Sequence, residues 1–189
     1  MQKSTFKIDD GLQFGTWEDK TSQFMYFDCM NEILSFVEIP LSVADYGGAN
    51  GNLKKFIPNA LSIDIDETKN PDVVDNILTH EGNYDLIIIR YVLHYLTDYE
   101  ICSLFEHLAK THQGKILVIQ FCNNDLKSKY RNSLNEHKYF RTESQMEALL
   151  PQFKKIYSKQ FFVDDKFYQN RLKINNAISH FETLNAYLI

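Results

Sequence analysis

The sequence predicts a three-layer α/β sandwich: a mostly parallel sheet with helices on both faces and an antiparallel pair at one edge. Two observations carry this reading. Through the middle of the chain, short apolar runs alternate with segments of helical periodicity across short connections. In addition, Tyr84–Ile89 (YDLIII) is apolar without alternation, as in a strand buried on both faces of a parallel sheet. With 189 residues and no Pro/Gly/Ser linker, one core accounts for the whole.

The elements follow in order. Residues 21–37 predict an amphipathic helix with Met30, Ile33, Leu34 and Val37 on one side. Leu41–Asp45 (LSVAD) is a first strand that ends abruptly at glycines. Leu53, Phe56 and Ile57 sit at i, i+3, i+4 and mark a short helix, which Pro58 stops. Leu61–Ile65 (LSIDI) is the second strand, Val73–Val74 lies in a short third, and Tyr84–Ile89 is the fourth. Thr97-x-x-Glu100 is a capping box opening a helix whose Ile101, Leu104, Phe105 and Leu108 form one stripe, ended by Gly114. Ile116–Phe121 is the fifth strand. A second capping box, Thr142-x-x-Gln145, starts a helix that buries Met146, Leu149 and Leu150. Beyond Phe153, KKIYSKQFFV and KFYQNRLKI read as strands joined at Asp164-Asp165, an antiparallel hairpin that completes seven strands. Ile178, Phe181, Leu184 and Leu188 predict a closing helix. Within one domain, this makes residues 1–40 a helical N-terminal lid, 41–172 the core and 173–189 a C-terminal helix.

Composition narrows the function. The opening MQKSTFKIDDGLQFG has no uninterrupted apolar stretch, so no secretory signal is expected, and no run approaches the ~18 residues of a membrane span. Cys29, Cys102 and Cys122 are far apart and form no C-x-x-C pair, which predicts reduced thiols in a cytoplasmic protein. The six histidines are scattered, so no metal site is expected. A net charge of −5 conceals +6 between Lys127 and Lys173 and −11 elsewhere. Such a basic segment is either a solvated face or an attraction for an anionic substrate or RNA.

The chemistry lies in VADYGGANGN (Val43–Asn52). Only 7 glycines occur in the chain, and Gly47, Gly48 and Gly51 fall within five positions. They end a strand, where ligands bind in open α/β sheets, and let the backbone approach closely. The spacing does not match G-x-G-x-x-G, and no Gly-Lys-Ser/Thr follows. Asp45, two residues before the first glycine, repels a pyrophosphate and suits a cationic group. Asp64, at the end of the second strand, can accept hydrogen bonds from both hydroxyls of a ribose. Asp75-Asn76, after the third strand, can bond an adenine amino group. Strand-end carboxylates without a phosphate cradle point to a positively charged nucleoside, S-adenosylmethionine.

These segments resemble the class I S-adenosylmethionine-dependent methyltransferases, in particular their small-molecule branch, over residues 41–172. VADYGGANG resembles the family's acid-and-glycine loop, with Ala49 where its middle glycine falls. SIDID resembles the acidic end of its second strand, YDLIIIRYVLHYLTD its fourth-strand motif, and YFRTESQMEALL its later helix. The resemblance implies a Rossmann-like fold. It assigns Asp45 and Gly47 to the methionine end of the cofactor, with Gly48, Asn50 and Gly51 completing the loop. It also assigns Asp64 to the ribose, Ile65 to the adenine face and Asp75 or Asn76 to the adenine amino group, with Arg90 facing the cofactor.

Methyl transfer is an in-line displacement, so positioning is most of what the protein adds. His94, just beyond the fourth strand, is the best-placed candidate base. Arg90-Tyr91-Val92-Leu93 stands where amino-methylating nucleic-acid enzymes carry Asp/Asn-Pro-Pro-aromatic, and no Pro-Cys occurs, so those base-modifying chemistries are disfavoured. Phe14, Trp17 and Tyr26 in the aromatic N-terminal segment, with Arg131 and Arg141 in the basic stretch, are candidate substrate-binding residues. The expected partner is a small acceptor, anionic ones included, with S-adenosylhomocysteine as the second product. Nucleic acid is disfavoured, no membrane is expected, and monomer and homodimer remain open. The alternatives are an RNA (tRNA) methyltransferase and a non-catalytic scaffold of the same fold.

Overall fold

The computed structural model describes residues 29–122, 139, 141–163 and 180–189. Its strands are β1 (Val43–Tyr46), β2 (Leu61–Asp64), β3 (Val73–Val74), β4 (Leu86–Arg90), β5 (Lys115–Cys122), β6 (Lys154–Val163) and β7 (His180–Leu188). They form one seven-stranded sheet in the order β3-β2-β1-β4-β5-β7-β6. The first five run parallel, and β7 pairs antiparallel with both β5 and β6. β1 and β4 register Asp45 beside Ile88, which fixes which side chains meet at their carboxyl ends.

Alternate residues of each strand face opposite cores, so the sheet needs cover on both sides. On one face Ala44, Tyr46, Ile87, Ile89 and Val118 pack with α1 (Asp98–Thr111) and α2 (Glu143–Leu149). Ile101, Leu104, Phe105 and Leu108 of α1 are all buried there, each stabilising the fold by about 1.5–3 kcal/mol. On the other face Val43, Leu86, Ile88, Leu117 and Ile119 pack with Met30, Ile33 and Val37, which belong to helical residues 29–34 and the turn after them. Both capping boxes form, Thr97 with Glu100 and Thr142 with Gln145. The short helix after the glycines is a single 3-10 turn, Asn52–Lys55.

The C-terminal end departs from expectation. Residues 180–188 are not the predicted closing helix but strand β7, inserted between β5 and β6. The reason lies in the spacing. Leu184 and Leu188 share a side at four residues apart in a helix, but four is also an even number, so they share a side in a strand too. In the sheet Leu184 and Ala186 face one core while Tyr187 faces the other. The core therefore extends beyond residue 172, and β6 pairs antiparallel with β7. Residues 166–174, together with Phe14, Trp17, Tyr26 and Arg131, lie outside the described residues.

Candidate active site

The carboxyl ends of β1, β2, β3 and β4 converge on the glycine loop. Gly47 has φ of +71°, and a Cβ there would lie 2.3 Å from Val92 Cγ2. A Cβ on Gly48 would lie 2.8–2.9 Å from the carbonyl and carboxylate of Asp45. The loop is tied down by N–H bonds from Gly47 and Gly48 to the Ile63 carbonyl, at 2.8 and 3.2 Å. Ala49 donates its N–H to Asp64 Oδ2 at 2.9 Å. Asn50 is exposed at the tip, and Gly51 leads into the 3-10 turn in a left-handed conformation.

Asp45 is buried, and its carboxylate accepts two bonds from the Arg90 guanidinium, Nε at 3.4 Å and Nη2 at 2.9 Å. The β1/β4 register brings this pair together: Arg90 follows Ile88 by two residues and so shares its face. A buried acid held by a guanidinium presents both signs of charge at one spot.

Asp64 accepts one N–H on each oxygen, from Ala49 and from Asp66 at 2.9 Å. Burial pushes its carboxyl above the usual range, the two N–H bonds counteract, and the charges of Asp66 and Asp45 add to the rise. Each oxygen retains accepting capacity. Ile65, next to it, is 47% exposed, an apolar face left open. Asp75 follows directly, its N–H bonded to the Asp64 carbonyl at 3.0 Å. Its carboxylate takes a bond from the His80 imidazole at 2.8 Å and from the Asn76 N–H at 2.7 Å. The His80 bond, then that of Asn76, holds its pKa below the usual carboxylate range. Asn76 is turned back on the chain, its Oδ1 accepting from the Leu78 N–H.

His94 sits on a 3-10 turn, Leu93–Tyr95, between β4 and α1. Its Nδ1 lies 3.2 Å from Gln120 Nε2, a side chain on the buried part of β5. Arg141 is placed differently from a ligand-binding arginine. It is 5% exposed, and its guanidinium donates to Asp98 Oδ1 and to the carbonyls of Leu93, Leu96 and Tyr139. Those bonds commit it to bracing the turn that carries His94.

Neither a family model nor any curated protein sequence matches the chain. Solved structures do. N-methyltransferase NodS from Bradyrhizobium japonicum WM9, in complex with S-adenosyl-L-homocysteine, aligns with a TM-score of 0.65 at 13% identity, over 96% of this chain and 93% of its own. Magnesium protoporphyrin IX methyltransferase (ChlM) from Synechocystis PCC 6803, with bound SAH, aligns at 0.59 and 15% identity over 88% and 82%. A SAM-dependent methyltransferase from Archaeoglobus fulgidus gives 0.59 and 13% over 88% and 94%. The fold is that of the class I S-adenosylmethionine-dependent methyltransferases.

Within this methyltransferase fold, Asp45, Gly47, Gly48, Asp64, Ile65, Asp75 and Arg90 lie at the carboxyl ends of β1, β2, β3 and β4. His94 stands on the next connection, after β4. Sequence reasoning missed His80, whose partners Asp75 and Tyr84 lie five residues before it and four after it in irregular chain. It also missed Gln120, which reads as one more residue of a buried strand. A polar side chain inside ILVIQF is the only signal that could have drawn notice.

Proposed function

We propose that the protein is an S-adenosylmethionine-dependent methyltransferase acting on a small acceptor. One observation carries the reading: successive strand ends present a buried acid–guanidinium pair, a desolvated carboxylate and a second carboxylate, arranged around a glycine loop and an exposed isoleucine. That sequence of groups suits a ligand with an amino-acid end, a ribose and an adenine. The Asp45–Arg90 pair complements an ammonium and a carboxylate together. Asp64 has accepting capacity for a diol, Ile65 offers apolar surface to a base, and Asp75 accepts from an amino group.

When bound, the cofactor supplies a methyl group made electrophilic by a sulfonium. The chain's own part is to orient the reactants and to manage the acceptor's proton. His94 is the base. Gln120 selects its tautomer: with the amide carbonyl turned to the ring, Nδ1 carries the hydrogen and Nε2 is the basic nitrogen. This orientation also gives a partner to Gln120 Oε1, which is buried without one when the amide nitrogen faces the ring.

Two variants test the assignment. Asp64→Ala weakens S-adenosylmethionine binding by about 1–3 kcal/mol, the scale of losing a charged hydrogen-bond partner. Unchanged calorimetric affinity would remove Asp64 from the cofactor site. His94→Ala lowers turnover far more than cofactor affinity once an acceptor is found by screening metabolite extracts and tRNA with labelled cofactor. Turnover equal to that of the unaltered protein would exclude it as the base.

A further inference from the structure

Both ring nitrogens of His80 are engaged in side-chain hydrogen bonds. Nδ1 lies 2.8 Å from Asp75 Oδ2, and Nε2 lies 3.0 Å from the Tyr84 hydroxyl. The proton positions follow from chemistry. An ionised carboxylate can only accept, so Nδ1 carries the hydrogen; Nε2 of the neutral ring must then accept, so Tyr84 donates. The result is a directed chain, Tyr84 O–H to His80 Nε2 and His80 Nδ1–H to Asp75. The ring is itself fixed on other sides. The His80 carbonyl accepts from His107 Nε2 of α1 at 3.0 Å, its N–H donates to the Asn76 carbonyl at 2.9 Å, and its edge meets the Tyr46 ring at 5.7 Å between centroids.

Exposure shows which way this chain faces. The His80 side chain is 8% exposed and the Asp75 side chain 45%. The carboxylate is thus gripped from behind, by His80 on Oδ2 and the Asn76 N–H on Oδ1, and open in front. With one lone pair taken on each oxygen, what it offers outward is acceptor capacity alone. A ligand amino group satisfies that; a carbonyl oxygen in the same place meets like partial charge. Ionisation of Asp75 matters here, because a protonated carboxyl could donate to either.

We propose that His80 is a positioning residue, backed by Tyr84, which orients the Asp75 carboxylate so that the site selects a 6-aminopurine over a 6-oxopurine. The inference rests on the S-adenosylmethionine reading and adds the specificity of its base-binding end. His80 touches no ligand in this account; it acts through Asp75.

The test compares calorimetric binding of S-adenosylhomocysteine and of its hypoxanthine analogue to four proteins. The unaltered chain prefers the adenine compound by about 10- to 100-fold, the ratio expected for one hydrogen bond to a charged group. In His80→Leu the preference falls to about threefold or less. His80→Asn, whose amide keeps an N–H where Nδ1 stood, recovers most of it, a rescue that a merely space-filling role would not produce. Should the leucine variant fail to fold, Tyr84→Phe tests the same chain by freeing the tautomer, and it lowers the preference about twofold to fivefold. Equal preference in the variants and the unaltered chain, or no preference in the unaltered chain, overturns the positioning role while leaving the cofactor reading intact. Failure of the unaltered chain to bind S-adenosylhomocysteine overturns both.

Discussion

Ala49 occupies a backbone slot that suits glycine. Its φ is +45°, and its N–H is the one that reaches Asp64. A left-handed conformation costs an L-residue on the order of 1 kcal/mol, partly offset by the entropy glycine loses on folding. Ala49→Gly is therefore expected to stabilise the protein by about 0.5 kcal/mol, seen as a higher urea midpoint at unchanged slope. A lower midpoint would show that the methyl group packs well enough to outweigh the torsion. Tyr91 holds a similar torsion, φ +56°, immediately after Arg90. The loop and the fourth-strand end thus each carry one unfavourable non-glycine torsion beside a charged group of the candidate site. At this scale the acids were legible because each stands where an apolar run stops. The Arg90–Asp45 pair was not, since it depends on a register between strands 45 residues apart. The burial of Arg141 was not legible either: a local excess of positive charge says nothing of whether one guanidinium is buried.

Among the elements, α1 and α2 announced themselves through capping boxes, which are written within four residues and need no tertiary partner. β7 did not. It has strands on both sides and cores on both faces, so HFETLNAYL shows neither clean alternation nor an apolar run. Its leucines fit either period. The distinction is measurable at Leu184, which is fully buried between β5 and β6. Leu184→Ala is expected to cost about 2–5 kcal/mol, the range for a truncated core leucine. A loss below about 1 kcal/mol in urea denaturation would contradict its central place in the sheet.

At the level of the whole molecule, the parallel half of the sheet follows from crossover connections that return the chain over the sheet, and the sequence expresses it as strand–helix alternation. The likeness to NodS, ChlM and the Archaeoglobus fulgidus enzyme extends over most of each chain at 13–15% identity. What persists at that distance is the layering and the sheet. The motifs that announced the fold in the sequence are those at the carboxyl edge, where backbone approach and charge restrict the choice of residue. In the antiparallel half, β6 and its antiparallel pairing were legible and β7 was not, and its topology is the less local part. Among the described residues, β6 joins the sheet through β7, a strand that follows it in the chain.

That order has a consequence for a chain made from one end. A ribosome delivers β1 through β5 first, and these can assemble with their crossovers as they emerge. β6 comes next, before the strand it pairs with in the finished sheet has been made, while β5 stands with a row of unpaired amides and carbonyls. Both wait for residues 180–188. During that interval the nascent sheet has an open edge of the kind that recruits neighbouring chains. Lys154, Lys155 and Lys159, which stud the waiting β6, place positive charge against such recruitment until β7 slides between the two strands and closes them.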